Sequence, residues 1–95
     1  MKFKKAGWEA VNGTSLKGSV YTTYADLVEA FGEPEAGGDK TTVEWALRFE
    51  DGTIATIYDW KTYATPMGPY DWHIGGKSKM AEVRVTQALQ QTALA

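Results

Sequence analysis

Two stretches of the chain, residues 42–50 and 53–60, alternate hydrophobic and polar side chains and are separated by Asp51-Gly52. Alternation with a period of two is typical of a half-buried strand. Asp-Gly favours a two-residue type I′ turn, which needs positive φ at both central positions. The pattern therefore predicts a β-hairpin. With a two-residue turn, its core face would carry Val43, Trp45, Leu47, Phe49, Ile54, Thr56, Tyr58 and Trp60.

The opposite face of this hairpin would be mixed in character. Charged residues surround a small apolar centre of Ala46, Ala55 and Ile57, which would be either solvated or covered by a helix or a second subunit. The same register places Glu44 opposite Asp59. Two facing carboxylates destabilise each other unless a cation intervenes, although a screened, exposed pair is the simpler alternative. The candidate cations are a divalent metal, a basic group of another subunit, Lys61 and Arg84.

A first helix is predicted over residues 24–31, because apolar side chains recur there at i, i+3, i+4 and i+7. Thr23 is suited to cap its first turn, and Asp26 favours the positive end of the helix dipole. Gly32 suits the left-handed position that follows a last helical turn. Both ends of this helix are therefore marked in the sequence.

A second helix is predicted over residues 79–94, with Ser78 as its cap. Residues 83–86 also alternate like a strand, so a strand in that segment remains an alternative. The apolar stripe of the predicted helix consists of Ala81, Val85, Ala88 and Leu89.

Residues 3–10 and 15–22 resemble strands, and residues 35–40 and 63–68 resemble loops, the second of them a possible lid. The predicted order is strand, strand, helix, hairpin, strand, helix. That order indicates an α+β fold, a small antiparallel sheet with two helices packed on one face. No linker or low-complexity tract interrupts the chain, so residues 1–95 are predicted to form a single compact domain.

The composition argues against several classes of function. A net charge of −2 disfavours a protein that grips the nucleic-acid backbone by bulk charge, and no apolar run approaches the length of a membrane span or signal peptide. The absence of Cys removes thiolate metal sites and fits a cytoplasmic location. Four Trp in 95 residues exceed the needs of a small core, so we expect a homo-oligomer.

The tripeptide Tyr-Asp-Trp occurs at residues 58–60 and 70–72, and the second copy runs into the only His and a Gly pair. Aromatic rings, an imidazole and a glycine turn beside lysines suit a flat, anionic small molecule. Backbone N–H groups of that turn would seat an anion, although a plain helix cap is an equal alternative. The predicted ligand-binding residues are Trp60, Lys61, Trp72, His73, Gly75, Gly76, Lys77 and Arg84.

Catalysis is not predicted. A lone His without Cys cannot build a closed zinc site, and no Ser lies in a nucleophile elbow of the Gly-flanked kind. We therefore expect no catalytic residue, no metal and no cofactor. An acid–base pair of His73 with Asp59 or Asp71 remains an alternative, and it would make the protein a small hydrolase.

Three segments, residues 24–34, 51–61 and 71–77, resemble small phage-encoded proteins of the first Thoeris anti-defence family. The most unusual of the shared motifs is Asp-Trp-His-Ile-Gly-Gly. The resemblance implies a protein that binds nucleotide-derived immune signals, such as glycocyclic ADP-ribose or cyclic oligonucleotides, without cleaving them. It also implies a homo-oligomer with pockets at subunit interfaces, acting in the cytoplasm of an infected bacterium.

A protein–protein inhibitor of a host defence enzyme is the alternative function, either anti-CRISPR-like or a mimic of DNA. Such an inhibitor would bind its target through an acidic surface. The acidic residues available for that surface are Glu33, Glu35, Asp39, Glu50 and Asp51.

Overall fold

A computed structural model describes residues 1–94, without the side chain of Trp8. Within those residues the chain forms six strands and three helices. In chain order they are β1 (Phe3–Lys5), α1 (Trp8–Val11), β2 (Ser15–Thr22), α2 (Tyr24–Phe31), β3 (Glu35–Ala36), β4 (Val43–Phe49), β5 (Ile54–Tyr58), β6 (Tyr70–Gly76) and α3 (Met80–Leu94).

All strand pairs are antiparallel, and the sheet order is β1-β4-β5-β6-β2. The short β3 also pairs with β4, beside residues 43–44, while β1 pairs beside residues 47–49. Both short strands therefore share one side of β4, and β2 forms the opposite edge of the sheet. The predicted α+β class is confirmed.

Two short elements differ from the prediction. The segment predicted as one strand over residues 3–10 is a strand only as far as Lys5, and the single-turn helix α1 follows it. Gly7 stands at the N-terminal cap of α1, and one helical turn is too short to show a hydrophobic period. The predicted loop over residues 35–40 contains β3, which is only two residues long.

The predicted hairpin is present, but its turn is of a different type. The N–H of Gly52 donates to the carbonyl of Phe49 at 2.9 Å, and the N–H of Phe49 donates to the carbonyl of Thr53 at 2.9 Å. Gly52 has φ 91°, whereas Asp51 does not have positive φ. These features define a three-residue loop, a type I turn followed by a glycine bulge, so the prediction of a two-residue type I′ turn is wrong.

The extra loop residue shifts β5 by one position against β4. Trp45 lies opposite Ile57 and Leu47 lies opposite Ala55, whereas Glu44 lies opposite Tyr58. A shift of one residue turns every side chain of a strand to the other face. The predicted hairpin faces are therefore wrong for β5, and so is the predicted pairing of Glu44 with Asp59.

Helices α2 and α3 cover one face of the sheet and close the hydrophobic core. Their buried residues are Leu27 and Phe31 from α2 with Ala81, Val85 and Ala88 from α3. They pack on strand residues that include Trp45, Leu47, Phe49, Ala55, Ile57, Trp72 and Ile74. Two helices on one face of an antiparallel sheet were predicted, and this arrangement is confirmed.

Local capping accounts for the positions of the two long helices. The hydroxyl of Thr23 accepts a hydrogen bond from the N–H of Asp26 at 3.2 Å, and Gly32 ends α2 with φ 83°. The hydroxyl of Ser78 accepts from the N–H of Met80 at 3.2 Å. The segment 83–86 lies within α3, so the helix was the correct alternative there. Among residues 1–94, no helix is both long and apolar enough to cross a membrane.

The register of β5 can be tested with two neighbouring substitutions. Ile57 is fully buried against the helices, whereas Thr56 lies on the opposite face. We expect Ile57→Ala to lower the free energy of unfolding by about 2–5 kcal/mol, as for other buried aliphatic side chains. Thr56→Ala should change it by less than about 1 kcal/mol. Urea denaturation measures both values, and the reverse order would restore the two-residue turn.

Candidate functional site

The face of the sheet opposite α2 and α3 is only partly covered. It is called the open face here and carries Glu44, Ala46, Thr56, Tyr58, His73 and Gly75. Helix α1 and the residues around it lie over part of this face. Between them and the strands runs a groove of about 820 Å³. That volume is within the range of small-molecule sites, so the groove is the candidate functional site.

One end of the groove has an aromatic wall. The rings of Tyr58 and Trp60 meet edge to face, with centroids 6.4 Å apart and an interplanar angle of 71°. Tyr58 also stacks on His73, with centroids 5.5 Å apart and an angle of 21°. Trp60 is 44% exposed, and the ammonium of Lys61 lies 6.0 Å from the Trp60 ring centroid. The wall therefore ends in a cation at its solvent-exposed rim.

The floor of the groove depends on a residue without a side chain. A Cβ atom at Gly75 would collide with the hydroxyl of Thr56 and would lie 3.5 Å from the Tyr58 ring. Gly75 is buried in β6, where it lies opposite Thr56 of β5. The absence of a side chain at Gly75 therefore lets the Thr56 hydroxyl pack against the β6 backbone beside the aromatic wall.

Two carboxylates border the groove from directly opposite positions, Glu35 on β3 and Glu44 on β4. Lys5 forms an ion pair with Glu35 at 3.7 Å. Among the described side chains none forms a hydrogen bond or ion pair with Glu44, and no Lys or Arg lines the groove. Burial and the negative charge of Glu44 together raise the pKa of Tyr58. The charged side chains that line the groove are therefore both acidic.

Asp59 is fully buried and holds together the chain segments beside the groove. Its carboxylate accepts hydrogen bonds from the N–H and hydroxyl of Thr42 at 2.7 and 2.6 Å, from the N–H of Val43 at 3.4 Å, and from the hydroxyl of Thr62. Burial alone would raise the pKa of Asp59, but these donors outweigh burial and lower it. No facing cation is needed, because hydrogen-bond donors stabilise the charge.

The loop that follows Trp60 is fixed at several further points. The N–H of Trp60 donates to the Tyr70 hydroxyl at 3.2 Å, and the N–H of Lys61 donates to the carbonyl of Lys40 at 2.8 Å. The hydroxyls of Thr42 and Thr65 are 2.8 Å apart. Lys61 itself has φ 55°, which is uncommon for a residue with a side chain. These bonds hold the Trp60 backbone in place while leaving its ring at the groove.

The structure divides the predicted ligand-binding residues between two faces of the sheet. Trp60, Lys61, His73 and Gly75 lie on or beside the open face, and Lys77 is exposed after β6. The remaining three lie on the helix side. Trp72 is fully buried in the core, a Cβ atom at Gly76 would collide with Ala81, and Arg84 pairs with Asp51 at 2.9 Å.

Lys79, one of the two lysines of the predicted anion seat at the start of α3, is engaged by the chain itself. The Glu82 carboxylate accepts a hydrogen bond from the N–H of Ser19 at 3.0 Å, and the Lys79 ammonium donates to the carbonyl of Lys17 at 2.6 Å. The Ser19 N–H, with help from Lys79, lowers the pKa of Glu82. The first turn of α3 therefore covers backbone groups of the edge strand β2, as edge strands require.

His73 also borders a shallower recess of about 540 Å³, next to the irregular start of β2. Ser19 lies directly opposite His73, and Asp71 is two residues away on the same face. A Ser-His-Asp relay needs the imidazole Nδ1 to donate to the carboxylate. Nδ1 of His73 is buried and has no partner among the described groups, so the three residues are near one another without forming a relay. No group of three potential metal-binding side chains occurs among the described residues.

Sequence reasoning misplaced residues of the groove because it predicted the wrong register for β5. Tyr58 and Thr56 were expected in the core, and Glu44 was expected to face Asp59. A three-residue loop ending in glycine, which the same sequence also allows, places Tyr58 and Thr56 on the open face with Glu44. Comparison of the chain with protein-family models, curated proteins and solved structures found no match.

The Asp59 network makes stability depend on pH. Because its folded-state pKa lies below the ordinary value of 3.8, its contribution is complete above that value and is lost as pH falls through the folded-state pKa. Asp59→Asn should lower the free energy of unfolding by about 2 kcal/mol at pH 7, with the difference shrinking below about pH 4. Urea denaturation from pH 7 to 3 measures this. Asp39→Asn, at an exposed loop residue, is the control; a pH-independent loss for Asp59→Asn would contradict the assignment.

Proposed function

We propose that the protein binds a small nucleotide-derived ligand in the open-face groove and sequesters it without cleavage. The observation that carries this proposal is the groove itself, with its aromatic wall. Stacking on aromatic side chains is a common means of holding a nucleobase. A rigid wall also reduces the ordering cost of binding.

The distribution of charge supports one orientation of such a ligand. The acidic interior near Glu44 suits a base that presents N–H groups and disfavours a phosphate. Lys61 stands at the exposed rim beside Trp60, where a phosphate would be accepted. The ligand would therefore enter with its base first and leave its phosphate at the rim. In this orientation Lys61 would bind the phosphate, in place of the glycine turn before α3.

Binding without turnover agrees with the chemistry available. The imidazole of His73 stacks on Tyr58 and lacks the Nδ1 partner that would orient it as a general base. Resemblance to the Thoeris anti-defence proteins supplies the biological setting of the proposal. In that setting a phage protein removes a host immune signal, of the glycocyclic ADP-ribose or cyclic oligonucleotide type, inside an infected bacterium.

Inhibition of a host protein is the second candidate, and one observation favours it. The loop after Asp59 is pinned by hydrogen bonds, yet it exposes Trp60, Tyr63 and Met67. Exposed aromatic side chains on a rigid loop are typical of protein-binding hot spots. The acidic surface is a weaker basis, because Asp51 pairs with Arg84 and Glu35 pairs with Lys5.

Ligand capture can be measured directly. The purified protein is incubated with a panel of cyclic nucleotides and ADP-ribose derivatives, washed and heated, and the released molecule is identified by mass spectrometry. An intact nucleotide is expected. A cleaved product would support the hydrolase, and no captured nucleotide would favour the protein inhibitor.

Trp60→Ala should weaken binding of the captured nucleotide by about 1–3 kcal/mol, because it removes a stacking surface. Calorimetric titration measures the loss. Tyr63→Ala is the matched control, since Tyr63 is fully exposed on the same loop and does not line the groove. Equal losses for both variants would place the ligand on the loop and not in the groove.

Self-association belongs to the same proposal. The edge strand β2 exposes the apolar side chains of Leu16 and Tyr21, which a second copy would cover. Sedimentation at micromolar concentration is expected to give a mass above the 10.5 kDa of one chain. Leu16→Lys should shift the distribution towards the monomer. A monomer in the unaltered protein would remove subunit-interface pockets from the proposal.

A further inference from the structure

One carboxylate that lines the groove, Glu44, forms no ion pair with any described side chain, and this points to the chemistry of the ligand. Resting on the proposed function, we infer that Glu44 is a specificity-determining residue that accepts a hydrogen bond from the exocyclic amino group of a nucleobase. Glu44 would then favour ligands whose base carries an amino group over ligands whose base lacks one.

The position of Glu44 follows from the sheet register. Residues directly opposite on paired strands project to the same face, so Glu44 shares the open face with Tyr58 of β5. Glu44 is neither buried nor fully exposed, and it lines the groove together with Tyr58 and Trp60. The carboxylate therefore stands beside the aromatic wall.

Glu44 differs from its neighbour Glu35 in having its charge available. Lys5 pairs with Glu35, whose side chain is mostly exposed. None of the described side chains pairs with Glu44. The charge of Glu44 acts instead on the Tyr58 phenol across the strand pair. Glu44 thus remains an acceptor for a ligand.

The chemistry of a carboxylate sets the preference. An ionised carboxylate accepts hydrogen bonds and donates none, and charge-assisted bonds of this kind are about twice as strong as neutral ones. An exocyclic amino group lies in the plane of its base and points outward from the ring edge. A base stacked on the aromatic wall would therefore direct that group sideways towards Glu44. Replacing the amino group by hydrogen would leave the carboxylate without its partner.

The test compares two probes that differ only at the amino group, AMP and purine riboside 5′-monophosphate. Titration of the full chain, followed by calorimetry, should show AMP binding about tenfold more tightly, as expected for a hydrogen bond to a charged group. In Glu44→Ala the ratio of the two dissociation constants should fall to about one. Glu44→Gln keeps an acceptor oxygen without the charge, so its ratio should be intermediate.

Glu29→Gln is the control, because it removes one negative charge from the exposed surface of α2, on the other side of the sheet. It should retain the tenfold ratio, and thermal unfolding of each variant verifies folding. Equal affinities for the two probes in the unaltered protein would overturn the role of Glu44 and leave groove binding standing. A failure of both probes to bind would overturn groove binding of nucleotides itself, and this role with it.

Discussion

The three-residue turn between β4 and β5 is the constraint on which the rest of the structure depends. Gly52 adopts a left-handed conformation that closes the loop, and Asp51 accepts a hydrogen bond from Thr53 at 3.0 Å and also pairs with Arg84 of α3. The turn therefore fixes the register of β5 and its contact with the long helix together. A two-residue turn would have exposed Ile57 and buried polar groups against the helices.

Both halves of the candidate site follow from that register. With β5 shifted by one residue, Asp59 points away from Glu44 and becomes the buried acceptor for Thr42 and Thr62. Glu44 is left beside Tyr58, without a cation. The same shift thus produces a rigid loop on one side and an acidic, aromatic groove on the other. The electrostatic character of the groove is a consequence of strand pairing and not of a local motif.

Helices cover the two faces of the sheet to different extents. On one face α2 and α3 bury a continuous core that includes Trp72. On the other face the only described helix is the single turn α1, too short to cover the strands, and a groove remains. The edge at β2 is covered in part by Lys79, which precedes α3, and by Glu82 of α3. Helix α3 therefore serves both the core and the sheet edge, which explains why Lys79 at its start bonds to the chain itself.

The sequence by itself determined the features whose causes are local. Apolar periodicity and the caps Thr23, Gly32 and Ser78 define α2 and α3, and Asp51-Gly52 marks the hairpin. The α+β class follows from the order of these elements. Tertiary structure alone decided the register of β5 against β4. The local sequence allows a two-residue or a three-residue turn, and the two registers that result differ in which whole strand face is buried. Strand pairing also determines which residues meet in the groove, because Glu35, Glu44, Tyr58 and Gly75 come from four different strands.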